Sequence, residues 1–201
     1  MARVGSWNHN VHYQPVILAA VPPGCGPALD VGCGDGMLAC RLAERCVEVT
    51  GIDRDPGMIA LARARAHGRT RFIEADFLTY PMEPASFDFV CANTSLHHMD
   101  FAAALTGLAR VLRPGGRLAV IGVAADKSLA DLVASAPGVP VNLVYRVLYG
   151  QGGSGAPVMD PEMSWREVRD TAAATLPGVR YHRHLLWRYS LHWRKPSQIA
   201  R

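Results

Sequence analysis

The chain has 201 residues, 49% of them hydrophobic and 19% charged, with a formal net charge of +4. That is one domain's worth of polypeptide with enough apolar content for its own core, and so weak a positive charge does not imply a nucleic-acid partner. No apolar run is long enough to span a bilayer, and the N-terminus lacks the basic, apolar and small-residue regions of a signal peptide, so a cytoplasmic protein without membrane association is expected.

Five cysteines fall at positions 25, 33, 40, 46 and 91, with no C-x-x-C pair and no matching cluster downstream. They read as reduced thiols, and no metal site is expected. Along the chain, short β-like runs alternate with helical patterns. Strands are predicted over 28–31, 46–52, 70–75, 87–92 and 117–123, and helices over 37–45, 56–67 and 102–112. In "DPGMIALARARAH" Asp55 is placed to cap, Pro56 suits the first helical position, and Ile59, Ala62 and Ala66 share a face. "LRPGG" at 112–116 ends a helix and turns into the fifth strand. Residues 137–163, including "YGQGGSGAP", read as a long irregular segment of the kind that forms lids. In "LLWRYSLHWRK" the period of two sets Trp187, Tyr189, Leu191 and Trp193 against Arg188, Ser190, His192 and Arg194, which is the pattern of a strand with one buried face. With "VRYHRH" before it, an antiparallel pair is expected to close a mainly parallel α/β sheet. The aromatics interleaved with basic residues from 180 onward fit that strand better than an RNA-binding surface.

The stretch "ALDVGCGDGMLACRLA", residues 28–43, holds three glycines in five positions between a strand and a helix. Glycines there supply positive φ and leave backbone N–H groups bare for a ligand. A tight turn without a ligand explains one glycine easily and three poorly. "VEVTGID" ends in Asp53 at the tip of the next strand, about 20 residues on, which is where a carboxylate meets two ribose hydroxyls. Alone, such an acid is more often a helix cap. The glycine spacing is not the dinucleotide G-x-G-x-x-G, whose third position holds Met37 here, and no P-loop is present.

With Asp30 before it, "LDVGCGDG" resembles the first motif of class I S-adenosylmethionine-dependent methyltransferases. "GIDRDPGMIALAR", "FIEADF", "FDFVCANTSLHHM" and "LARVLRPGGRLAVIG" are similar to the following segments in family order, together covering residues 28 to about 123. The small single-domain bacterial subset, type-11-like, carries "LHH" after the fourth strand. The resemblance implies a three-layer Rossmann-like fold with a seven-stranded, mainly parallel sheet and an antiparallel last strand. One domain over 1–201 is expected, divided into a helical cap (1–25), a cofactor-binding half (26–123) and a substrate side (124–201).

It further implies S-adenosyl-L-methionine as cofactor, S-adenosyl-L-homocysteine as product, and a small-molecule methyl acceptor. Gly32, Cys33, Gly34 and Gly36 would meet the methionine part through their backbone, with Asp30 ordering that turn or lying near the amino group. Asp53 would hold the ribose, Arg54 would lie beside the adenine, Asp76 would accept from its amino group, and Phe77 would flank the ring. Asn93 would touch the methionine part or the substrate. His97 is the candidate base for a nucleophile losing its proton, with His98, His12 and Tyr13 as candidate pocket walls. The blander reading has one of the paired histidines capping the next helix and the other in solvent, with the N-terminal segment as a helix packed on the sheet. A nicotinamide-dependent oxidoreductase and a cofactor-binding module without catalysis are the competing functions. The acceptor and the oligomeric state leave no signature, because the acceptor pocket is drawn from variable loops.

Overall fold

In a computed structural model, which describes residues 8–149 and 160–197, the chain runs α1 (His9–Ala20), β1 (Cys25–Val31), α2 (Met37–Leu42), β2 (Cys46–Asp53), α3 (Pro56–Arg65), β3 (Thr70–Glu74) and β4 (Phe87–Asn93). A 3₁₀ turn (Leu96–His98) follows, then α4 (Phe101–Val111), β5 (Leu112–Gly122), α5 (Leu129–Ser135), α6 (Gly138–Tyr149), α7 (Trp165–Thr175), β6 (Arg180–His184) and β7 (Arg188–Arg194). The seven strands form one sheet in the order β3-β2-β1-β4-β5-β7-β6. The first five are parallel, while β7 pairs antiparallel with both β5 and β6.

Strand alternation sorts the core into two layers. Val90 and Ala92 of β4 and Leu118 and Val120 of β5 face the layer built with α4 and α7. Phe89, Cys91, Ala119 and Ile121 face the layer built with α1, α2 and α3. Helix α4 shows why it packs there: Phe101, Ala104, Leu105, Leu108 and Val111 are all buried, an i, i+3, i+4, i+7 stripe. Each leucine in that stripe contributes roughly 1.5–3 kcal/mol of burial. Asp100 caps its start by accepting from Ala103 N, and Asp55 caps α3 by accepting from Gly57 N and Met58 N behind Pro56.

Four departures from the sequence expectations have physical causes. Residues 112–116 do not form a separate turn. β5 begins at Leu112 with a register shift opposite Phe87–Phe89, and Gly115 at φ +80° lets the strand bulge. Residues 138–149, expected to be irregular, form α6, where Pro140 stands in the first turn and needs no amide bond; residues 150–159 lie outside the described residues. Helices α5 and α7 were unexpected although both begin with a capping box, Ser128–Asp131 and Ser164–Glu167. Finally, β7 is buried on both faces over its first half. Arg188 and Ser190 are covered from the α1 side, so the arginine row is not simply the wet face.

Candidate cofactor and acceptor site

The chain runs from β1 to β2 and β3 in one direction, then crosses to β4 on the other side of β1. Ligands bind above the carboxyl ends of the strands at such a switch point. A cleft of about 420 Å³, open mouth included, lies there. It is lined after β1 by Gly32, at β2 by Ile52, Asp53 and Arg54, after β3 by Ala75, Asp76 and Phe77, and after β4 by Ser95, His98 and Met99. Six of these ten are sequence candidates. Ile52, Ala75, Ser95 and Met99 were missed, although two of them stand directly beside the strand-tip acids Asp53 and Asp76 in the chain.

The three glycines serve three ends. All have positive φ, +70° at Gly32, +52° at Gly34 and +75° at Gly36. A Cβ on Gly32 would lie 2.2 Å from Ser95 Cβ, and one on Gly36 would lie 2.7 Å from Phe72 Cζ. At Gly34 it would meet no described atom within 4 Å. Gly36 therefore lets α2 close on the sheet, Gly32 admits Ser95, whose hydroxyl donates to Val31 O at 2.6 Å, and Gly34 faces open space. The amide of Gly34 donates to Asp53 Oδ2 at 2.9 Å, and Asp55 N donates to Asp53 Oδ1 at 3.0 Å. Each carboxylate oxygen keeps a second lone pair for a ligand hydroxyl.

Beneath the turn lies Asp30, 1% exposed. Its Oδ1 accepts from Cys91 Sγ at 3.5 Å, and its Oδ2 has no partner. Burial, with some help from Asp53 and Asp35, pushes its carboxyl up to about 7. Cys33, buried beside it, is raised in turn, again chiefly by burial. Asp76 Oδ1 accepts from Leu78 N at 2.8 Å, fixing the turn after β3. Phe77 is buried, with Gly107 of α4 against one edge of its ring.

The other candidates fall into a second group over β4, β5 and β7. Asn93 ends β4, and its Nδ2 donates to Asn10 O of α1 at 3.1 Å. His97 packs on His98 with ring centroids 3.9 Å apart, and its buried Nδ1 has no partner. Burial first, then His98 and Arg188, bring His97 down to about 4. His98 belongs instead to the cleft: burial and Arg54 lower it while Asp53 pulls it back up. His12 and Tyr13 line a separate groove with Val141, Tyr145, His184 and Leu186. The Tyr13 hydroxyl is spent on the carbonyl of Leu185 in the β6–β7 turn. Among the described residues no three His, Cys, Asp or Glu side chains gather as metal ligands, and no helix is long and apolar enough to cross a membrane.

A sheet of this order with a glycine turn and strand-tip acids at its switch point defines a Rossmann-like fold for a nucleoside cofactor. Residues 29–120 match the family described as "Methyltransferase domain". An uncharacterized methyltransferase of Mycobacterium tuberculosis is 37% identical over 193 residues, which cover 94% of this chain and 98% of that one. Demethylmenaquinone methyltransferase of Thermus thermophilus is 43% identical over 99 residues, 46% of this chain and 45% of that protein. The solved YcgJ protein of Bacillus subtilis shares the fold, with a TM-score of 0.65 at 23% identity over 86% of this chain and 70% of that one. The chain belongs to the class I S-adenosylmethionine-dependent methyltransferases. It is an enzyme of that family, which replaces both the oxidoreductase and the binding-module readings.

Proposed function

We propose that the enzyme methylates a small-molecule acceptor by in-line displacement, with the nucleoside of S-adenosyl-L-methionine in the cleft over β1–β3 and the acceptor over β4, β5 and β7. The observation that carries this is the coupling of Gly34 to Asp53: one carboxylate fixes the bare turn and still presents lone pairs to the cleft. Two features fit the cofactor's methionine end. Gly34 opens on space that a side chain would fill, and the unpartnered, buried Asp30 Oδ2 is an acceptor awaiting a donor such as an ammonium. Asp53 takes the ribose hydroxyls, and Asp76 and Phe77 take the adenine edge and face, with Arg54 and His98 closing the rim. Gly32, Cys33 and Gly36 shape the turn, and Asn93 marks where the methionine end meets the acceptor.

Bound in this way, the cofactor supplies a methyl group on a sulfonium. The chain contributes position and exclusion of water, and orientation of this kind is worth roughly 7–11 kcal/mol. His97 is neutral at pH 7. A neutral ring there can accept the hydrogen bond of the nucleophile and take its proton as the methyl is transferred, when the methylated oxygen or nitrogen becomes strongly acidic. His12 and Tyr13 wall the outer groove. A small-molecule acceptor and a cytoplasmic location belong to the same proposal. Titration calorimetry with S-adenosyl-L-homocysteine and with NADH tests it. The thioether is expected to bind stoichiometrically and NADH not at all, and the reverse refutes the reading.

A further inference from the structure

Arg188 begins β7 and is only 9% exposed, yet no acid meets it. All 17 Asp and Glu residues of the chain lie among the described residues, and every ion pair recorded there involves another cation. Its nitrogens reach only neutral oxygens. Nη2 donates to Asn10 Oδ1 at 3.2 Å, Nη1 to the carbonyls of Leu186 at 3.5 Å and Trp187 at 3.4 Å, and Nε has no acceptor. These are long for a guanidinium, whose bonds to an anion run at roughly 2.7–2.9 Å. The titratable groups facing it are Tyr13 and His9 of α1 and His97 after β4, all uncharged at pH 7. A buried cation in a neutral ring is costly and calls for a counterion.

Its position points to the acceptor. Arg188 follows the β6–β7 turn, beside the carboxyl end of β5, and faces α1 because Tyr189, Leu191 and Trp193 face the other layer. β7 stands three strands from β1, about 14 Å at the usual strand spacing, and Arg188 does not line the cofactor cleft. The Asn10 carbonyl nevertheless binds Asn93 at the end of β4, so one turn of α1 links the guanidinium to the place where the methyl would be delivered. The turn that aims Arg188 is strained, with Leu186 at φ +58° and Trp187 at φ +56°. It is clamped by Leu186, buried in the layer that holds Tyr13 and Ile17, and by the Tyr13 hydroxyl on Leu185 O. Strain held in place by packing gathers at ligand sites.

We infer that Arg188 is the receptor for a carboxylate on the methyl acceptor, which seats on the guanidinium fork beside Asn10 and turns the acceptor's nucleophile toward Asn93 and His97. The planar fork matches a carboxylate, and one isolated positive charge balances one negative charge, which favours a carboxylate over a phosphate dianion. A seated anion also offsets part of the field that holds His97 low, so anchoring makes the neighbouring imidazole a better proton acceptor. This rests on the methyltransferase reading above.

The test uses the full chain, ¹⁵N-labelled, with the Arg188 Nε–H resonance assigned by its loss in Arg188→Lys. Acetate and then benzoate are titrated at constant ionic strength into protein loaded with S-adenosyl-L-homocysteine, with benzamide as the neutral control. Saturable shifts of that resonance by the carboxylates alone are expected. Arg188→Lys should weaken carboxylate binding by about tenfold or more, followed on neighbouring amides. Asn10→Asp, which gives the guanidinium a carboxylate of its own and keeps Arg188 in place, should abolish the response. No saturable shift up to about 50 mM of either carboxylate overturns the assignment, since even a millimolar site would be seen. So does competition between acetate and S-adenosyl-L-homocysteine, because the seated carboxylate is then the cofactor's own. Failure of the unmodified protein to bind S-adenosyl-L-homocysteine at all instead defeats the methyltransferase reading.

Discussion

The two ends of the site are built in opposite ways. Over β1–β3 the cleft is local: Gly34 and Asp53 are 19 residues apart, Asp53 and Asp55 two, and each polar group completes a turn at a strand tip. Over β4, β5 and β7 the parts come from the ends of the chain, with Asn10 and Arg188 178 residues apart. The first region presents backbone amides and acids and holds spare acceptors. The second holds a buried cation, neutral imidazoles and a strained turn, and the Nε donor of Arg188 lacks an acceptor. A cationic, hydroxyl-rich cofactor suits the one, and an anionic acceptor suits the other.

The largest effect expected of any substitution is at Gly32. Alanine there adds a methyl group 2.2 Å from Ser95 Cβ at φ +70°, and overpacking plus left-handed strain should cost about 3 kcal/mol or more. Gly34→Ala meets no described atom within 4 Å, so only its φ is strained, at about 1–2 kcal/mol. It should bind S-adenosyl-L-homocysteine at least about tenfold more weakly, since the methyl enters the cradle. Thermal melts beside calorimetry check the pair. Equal melting losses with unchanged affinity at Gly34 would erase the distinction between packing and binding glycines.

Next comes Asp53→Ala, which removes the acceptor of two turn amides and, in the proposed binding mode, that of the ribose. A loss of about 2–3 kcal/mol, roughly 30- to 150-fold in affinity for S-adenosyl-L-homocysteine, is expected. An affinity within about threefold of the parent would place the ribose elsewhere.

Smaller is the effect of pH on that affinity. Burial holds Asp30 near 7, and a cationic methionine end favours its ionised form. Binding should therefore release a proton below that pH and tighten as pH rises, by up to about tenfold per unit. Asp30→Asn should remove the slope, whereas a flat profile for the parent between about pH 5.5 and 8.5 would put the ammonium away from this carboxyl.

The smallest effect sits on stability. His97 and His184 lie near 4 in the fold against an ordinary 6.5, so between those values the unfolded chain binds more protons. Their contribution is whole above 6.5 and is lost as pH falls toward 4. Asp30 runs the other way, its raised value favouring the fold below 3.8 and less so up to about 7. Both histidines are partly screened by solvent, so the net acid limb should be shallow. His97→Gln should flatten it further in melts taken across that window, and an unchanged limb would mean its ring is as wet as an ordinary histidine.

How much of this was legible follows from the same contrast. The alternation gave the α/β sheet, and the glycine turn with Asp53 gave the cleft, because both depend on residues near one another in sequence. Helix α6 was hidden by its β-branched residues and Pro140, poor helix formers held in place by tertiary context. Helix α7 carried a readable start in Ser164 and Glu167. Arg188 looked like part of a solvated face, because period-two patterning tells which residues share a side and not whether a distant helix covers it. Only the fold brings Asn10 across to it.

The central claim is that the nucleoside lies over β1–β3 with its sulfur toward Asn93 and His97. A crystal structure with S-adenosyl-L-homocysteine tests it most directly. The ribose hydroxyls should lie within hydrogen-bond reach of Asp53, the adenine between Asp76 and Phe77, and the sulfur at the boundary between the two regions. A nucleoside seated away from Asp53, or in the groove of Tyr13 and His184, would contradict it.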